Sequence, residues 1–152
     1  MFDDLRELYQ EVILDHGRSP RNHRHPDDAT RTARGNNPLC GDQLNVYLKV
    51  NPQGVVEDAA FEGRGCAISI ASASMMTEVL RGKSEAEACL LFEEFHKMCT
   101  GEDDVGDGTP EMEKLRVLSG VREYPVRVKC ATLPWHTMRA ALGGEATEVS
   151  TE

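Results

Sequence analysis

Gly63-Arg64-Gly65-Cys66 closes one β-patterned run and opens a helix built almost entirely from small residues. Leu44, Val46, Leu48 and Val50 alternate with Gln43, Asn45, Tyr47 and Lys49, the two-residue period of a half-buried strand. Asn51-Pro52-Gln53-Gly54 is turn chemistry, so Val55 to Glu62 returns as the partner strand of an antiparallel hairpin. Beyond Cys66, Ala67 to Leu80 reads as a helix whose Ala and Ser positions permit close packing against a sheet or another helix. Its serines are packing positions rather than nucleophiles. A thiol therefore stands at a strand-to-helix turn, where glycines allow close approach of other segments and free helix amides favour a thiolate.

Working outward, Phe2, Leu5, Leu8, Tyr9, Val12 and Ile13 have helical spacing over residues 2–16, with Gly17 just past the end. From Arg18 to Asn37 the composition shifts to Arg, His, Asn, Asp and Pro, which predicts a long loop with a short strand near Thr30 to Ala33. Ser84-Glu85-Ala86-Glu87 is a capping box, and Leu91, Phe92, Phe95 and Met98 form a core-facing stripe up to Gly101. Glu102 to Gly108 reads as an acidic loop, and Thr109-Pro110-Glu111 restarts a helix that ends near Gly120. Pro134 lacks an amide hydrogen for the carbonyl of Cys130, so the last helix is predicted to begin near Leu133, burying Trp135, Met138 and Leu142. Cys130 is then expected just ahead of that helix. Residues 1–142 are expected to form one domain and 143–152 a disordered tail.

With 152 residues the chain is long enough for one continuous core. A formal charge of -9 and a pI near 5.0 argue against nucleic acid or an anionic membrane as partner. Met1-Phe2-Asp3-Asp4 is acidic, and the longest weakly polar run, Cys66 to Met76, is broken by three serines, so neither export nor a membrane span is expected. Five cysteines without a CxxC pair suit reduced thiols in a cytoplasmic protein, open to thiol chemistry or metal binding.

Two tempting motifs fail. Position 68 is Ile where a dinucleotide fingerprint needs its third glycine, and a P-loop ending in Gly82-Lys83-Ser84 would need its first glycine at Thr77, within a helix. His23-Arg24-His25 is read as surface, and Cys89 and Cys99 as small apolar residues of the third helix. Cys40, Cys66 and Cys130 differ, because each lies at a turn or an element end beside Gly, Lys or Arg, and Asp42 adds a carboxylate. Three thiolates and one carboxylate can complete a tetrahedral Zn²⁺ site or hold an iron-sulfur cluster. The spacing matches no local zinc-finger pattern and leaves open whether the three thiols converge.

Pro38-Leu39-Cys40-Gly41-Asp42, Gly63-x-Gly65-Cys66-Ala67-Ile68-Ser69 with Ala71 to Thr77, and Arg127-Val128-Lys129-Cys130-Ala131-Thr132-Leu133 together resemble the IscU/NifU-N family, most closely its SufU branch. The likeness runs from the N-terminal helix through Pro20-Arg21-Asn22 to Trp135. It implies an α+β fold, with a small three-stranded antiparallel sheet packed against about five helices in a SufE/NifU-like arrangement. It also implies that Cys40, Asp42, Cys66 and Cys130 meet at one exposed edge. IscU-type scaffolds resemble Leu-Pro-Pro-Val-Lys-x-His-Cys at the last cysteine, whereas this chain has Tyr124-Pro125-Val126-Arg127-Val128-Lys129-Cys130, with Lys129 in place of the histidine. The segment from about Thr100 to Gly120 looks like the insertion typical of the SufU branch.

The resemblance implies sulfur transfer feeding iron-sulfur cluster assembly, with a SufS-type cysteine desulfurase and downstream assembly proteins as partners. Zn²⁺ on Cys40, Asp42, Cys66 and Cys130 would keep the thiols deprotonated, and a side chain of the docked desulfurase would replace Cys40 and free it as sulfur acceptor. Arg127 is expected to stabilise the released thiolate. The alternative is a scaffold on which a [2Fe-2S] cluster forms on the same four residues.

Overall fold

A computed structural model shows the predicted hairpin as one half of a four-stranded sheet, its second strand at an outer edge and its first beside the strand expected near Thr30. The structure describes residues 2–38, 40–101, 110–143 and 148–150, those at 2–8 and 148 as backbone alone. In chain order these are α1 (Phe2–Arg18), β1 (Arg31–Asn37), β2 (Asp42–Val50), β3 (Val56–Arg64), α2 (Ala67–Leu80), α3 (Glu85–Thr100), α4 (Pro110–Leu115), a 3-10 helix (Arg116–Glu123), α5 (Pro125–Gly143) and β4 (Glu148–Ser150). The α+β class stands as expected. The expected three antiparallel strands are joined by a fourth, β4, which runs parallel to β1. It falls within the stretch predicted to be a disordered tail; the rest of 144–152 lies outside the described residues, as do the acidic loop 102–108 and Thr109.

Alternation along β2 turns Leu44, Val46 and Leu48 into the core, with Val46 opposite Phe61 and Leu44 opposite Gly63 on β3. Helix α2 packs on β3, α5 covers β1 and β2, α1 lies on α2, and α3 lies against α5. Each large apolar side chain fully buried in this way contributes about 1.5–3 kcal/mol. Trp135 of α5 is fully buried and stacks on Phe95 of α3 at 4.7 Å between ring centroids. The capping box of α3 forms as predicted, and Gly101 ends that helix in the left-handed conformation at φ 79°.

Strand β1 runs on to Asn37, four residues past the short strand expected within a loop, because it pairs with β2 along its whole length, and three helix boundaries differ for local physical reasons. Helix α1 continues through Gly17, which brings its backbone close to Ala67 at the start of α2. The helix restarting at Pro110 tightens into the 3-10 helix after Leu115. Helix α5 begins at Pro125, eight residues before the predicted start, and passes through Pro134. Pro125 sits where the missing amide costs nothing, and the amides of Arg127 and Val128 both donate to the carbonyl of Tyr124 at 2.8 and 3.1 Å. An internal proline costs about 3 kcal/mol. Burial of Trp135, Leu133 and Met138 outweighs it, and Ser72 of α2 donates to the Ala131 carbonyl while accepting from the Trp135 indole at 3.2 Å. Cys130 therefore lies inside a helix.

The small residues of α2 do pack closely, and their hydroxyls are spoken for. Ser74 Oγ accepts the Arg21 amide at 2.8 Å and is hydrogen-bonded to His16 Nδ1 at 2.7 Å, while His16 Nε2 faces Glu78 at 3.8 Å. Burial, followed by the Arg21 charge, holds His16 below its ordinary value of 6.5 despite Glu78 and Asp15. Unfolded chain then binds more protons than folded chain just below pH 6.5, so stability falls as pH drops through that value. Denaturant unfolding on either side of this pH is expected to show a smaller pH-dependent loss for His16→Gln than for wild type. Equal losses would remove His16 from the account.

Candidate functional site

The turn between β1 and β2 presents the first two groups. Asn37 ends β1 and is the register partner of Asp42, which begins β2. Between them, the Cys40 amide donates to the Asn37 carbonyl at 3.3 Å, and Gly41 takes φ 72°, the left-handed conformation that reverses the chain. Cys40 is half-buried, whereas Asp42 is fully buried. The third group comes from the strand-to-helix turn, where Cys66 occupies the N-cap position of α2. Its amide donates to Asp42 Oδ1 at 2.8 Å, and its thiol lies 4.0 Å from Asp42 Oδ2. Gly65 makes this approach possible: a Cβ there would collide with Asp42 Oδ1 and stand 2.7 Å from Ser69 Oγ. The fourth group, Cys130 on α5, is fully buried with its Sγ 3.1 Å from Cys40 Sγ.

The electrostatics separate the thiols. Hydrogen bonding with Cys130, and then with the backbone amides of Ser69 and Ile68 at the start of α2, lowers Cys66 to about 6. Cys130 is driven upward, first by its bond with Cys66 and then by burial, Cys40 and Asp42. Within this pair the proton is held on Cys130 in preference to Cys66. Cys40, Asp42 and Cys130 converge, with Cys66 beside Asp42 but outside that trio, and no lysine or arginine is paired to them among the described residues. Such a set favours a bound cation. Atoms sharing one zinc ion at about 2.3 Å lie within about 4.6 Å of one another, and the ligand atoms of Cys40, Asp42 and Cys130 all fall within 4.8 Å. The donor set fits zinc, with Cys66 bordering it through Asp42.

Arg127 is exposed in the first turn of α5, and among the described residues no hydrogen bond or ion pair joins its guanidinium to the cluster. His23 packs edge-on against Phe61 and His25 stacks on Tyr47, which accounts for both without a ligand. Cys99 is fully buried in the core, where burial raises its thiol to about 12, and Cys89 is half-buried on the same helix. Sequence reasoning missed Asn37. Its side chain is fully buried and Nδ2 donates to Asp42 Oδ2 at 3.4 Å and to Cys130 Sγ at 3.5 Å, while Oδ1 has no partner among the described residues. An unsatisfied buried oxygen of this kind costs about 1–3 kcal/mol. The signal available was the cross-strand pairing of Asn37 with Asp42, which becomes visible only once the turn around Gly41 is known to be tight.

Fold and site together define a small α+β protein with a cluster of thiols and a carboxylate at one end of its sheet. Residues 8–141 match the family model described as NifU-like N terminal domain, and the chain belongs to that family. It is 44% identical over 139 residues to the iron-sulfur cluster assembly scaffold protein IscU of Thermotoga maritima, covering 91% of this chain and 94% of that protein. It is 39% identical over 142 residues to the zinc-dependent sulfurtransferase SufU of Bacillus subtilis, covering 93% and 94%. A solved structure described as an assembly scaffold protein for the SUF system, FiSufU of Fervidobacterium islandicum AW-1, matches with a TM-score of 0.80 at 32% identity, covering 87% of this chain and 94% of that one.

Two substitutions test the geometry. Gly65→Ala is expected to push Asp42 off the Cys66 amide, lowering stability by about 1–3 kcal/mol and weakening zinc retention, measured by denaturant unfolding and elemental analysis. Cys99→Ser is expected to lower stability through a hydroxyl in the core while leaving zinc content unchanged. Zinc loss in the second variant would mean that the ligands are assigned wrongly.

Proposed function

We propose that this protein accepts sulfur from the cysteine persulfide of a SufS-type desulfurase on Cys40 and supplies it to iron-sulfur cluster assembly. The observation that carries the reading is the meeting of three thiols and one carboxylate, with Cys40 the half-buried thiol on a turn beside the fully buried Cys130. The names of two relatives support it, one a zinc-dependent sulfurtransferase and the other an iron-sulfur cluster assembly scaffold. Cys40, Asp42, Cys66 and Cys130 are the residues that would hold zinc. When bound, zinc would keep the thiols deprotonated at neutral pH.

The chain's own residues do the rest. The thiolate of Cys40 attacks the outer sulfur of the desulfurase persulfide, forming a new S–S bond as the old one breaks. The desulfurase cysteine leaves as a thiolate, so sulfur moves without net oxidation or reduction. Asp42 stays in place through its bond from the Cys66 amide, and Cys130 stays buried with its sulfur facing the Asn37 amide. Arg127, exposed three residues before Cys130, would stabilise the released thiolate by its charge. No helix among the described residues is long and apolar enough to cross a membrane, so the partner would be met at an aqueous surface.

The second reading keeps the same four residues as a scaffold on which a [2Fe-2S] cluster is built as cargo, and it is favoured by the carboxylate in the set, the weak and exchangeable ligand such a cargo would need. Desulfurase turnover, with mass spectrometry for a persulfide adduct of roughly +32 Da, distinguishes them. Wild type is expected to accelerate turnover and to carry the adduct on Cys40; Cys40→Ser is expected to lose both, and Asp42→Ala to retain less than the about one zinc per chain expected of wild type. If wild type neither accelerates turnover nor acquires the adduct while Asp42→Ala accumulates a stable cluster, sulfur transfer is lost and the scaffold stands.

A further inference from the structure

We propose that Asn37 is the positioning residue that decides which ligand of the site lets go, by tying Asp42 and Cys130 from behind and leaving Cys40 untied. The inference rests on zinc-dependent sulfur transfer at this site and names the device that gives it an order. Asn37 is fully buried at the end of β1, and the two hydrogens of its Nδ2 are directed to Asp42 Oδ2 at 3.4 Å and Cys130 Sγ at 3.5 Å. The other carboxylate oxygen of Asp42 is held by the Cys66 amide at 2.8 Å. Three of the four groups are thus joined by donors that lie within the fold. Cys40 meets this set through the Cys130 sulfur, and its backbone is followed by Gly41, around whose α-carbon a side chain would find open space.

Asn37 Oδ1, without a partner among the described residues, shows what the amide is there to do. Turning the amide over would place that oxygen against the carboxylate of Asp42, a repulsive pairing, so both N–H groups stay on the two ligands and the carbonyl is left alone in the interior. A residue retained only for packing would carry no polar group to strand. Outer hydrogen bonds of this kind fix the direction of a ligand's lone pairs and slow its departure. With Asp42 and Cys130 restrained, the ligand with the easiest departure is Cys40, the thiol that must receive sulfur.

The test uses zinc-loaded full-length protein and needs no desulfurase. Zinc release to a chelator is timed, and the order of cysteine alkylation is mapped by peptide mass spectrometry, for wild type, Asn37→Leu, Asn37→Ala and Asn37→Ser. Leucine keeps the volume without a donor, alanine loses both, and serine keeps one donor. Wild type is expected to be alkylated first at Cys40. Both donorless variants are expected to release zinc about tenfold faster, with Cys130 alkylated alongside Cys40, and Asn37→Ser is expected to fall between. Release at the wild-type rate from Asn37→Leu, or an effect confined to Asn37→Ala, would reduce Asn37 to a packing residue and overturn the proposal. If neither donorless variant folds, Asn37→Ser decides: a wild-type release rate overturns the proposal and a faster one supports it. Wild type that takes up no zinc removes the sulfur-transfer reading together with this one, whereas unchanged variants of a zinc-binding wild type remove this one alone.

Discussion

The bond from the Cys66 amide to the buried carboxylate of Asp42 ties the start of the β2–β3 hairpin to the start of the helix that packs on it. Asp42 opens β2 and Cys66 caps α2, so the strands and the helix cannot shift relative to one another without breaking a charge-assisted hydrogen bond. The two glycines of the turn serve this contact. Gly63 adopts φ 155°, and a side chain there would run into the backbone of Gln43 and Leu44; Gly65 leaves the space that Asp42 fills. The same carboxylate is one of the four groups of the site, and so the contact that organises the fold also organises the chemistry.

The cluster shows how burial and exposure divide labour among similar side chains. Five cysteines share one chain, yet their surroundings make them different reagents. At a helix start, amides and a neighbouring thiol pull Cys66 toward ionisation, while Cys99, deep among aromatic and aliphatic side chains, is pushed away from it. Cys130 is buried but not apolar in its surroundings, since its sulfur faces Cys40 and the amide of Asn37. None of this depends on the cysteine itself.

Much of the architecture was legible because the sequence pattern and the packing agree. The alternation in β2, the turn at Asn51 to Gly54, the small-residue helix after Cys66 and the capping box at Ser84 all form where local chemistry places them. The site residues of the first two turns were legible for the same reason. What local chemistry could not reveal was the outcome of competition with tertiary contacts. Pro134 reads as a helix start, but it lies in a helix that is held by Trp135 on Phe95 and by Ser72 on the Ala131 carbonyl. Strand β4 is three residues long and has no periodicity to detect; it exists through its pairing with Arg34, Gly35 and Asn36. Asn37 was silent because its partners come from β2 and α5, both distant from it in hydrogen-bonding terms until the turn closes.

The two outer borders of the sheet have a bearing on how the molecule meets others. On one side β4 lies along β1, and on the other the chain at Asn22 to Arg24 occupies Phe61 of β3, exchanging backbone bonds of 3.0 Å with it in both directions. Unpaired strand borders are templates on which foreign chains, or further copies of the same chain, add strands and grow into aggregates. Here one border is a strand of only three residues and the other is occupied at Phe61, so strand addition finds little purchase. Contact with another protein is left to side chains and turns, among them the turn that carries Cys40, and the reactive sulfur can be open to a visitor without the sheet beside it becoming adhesive.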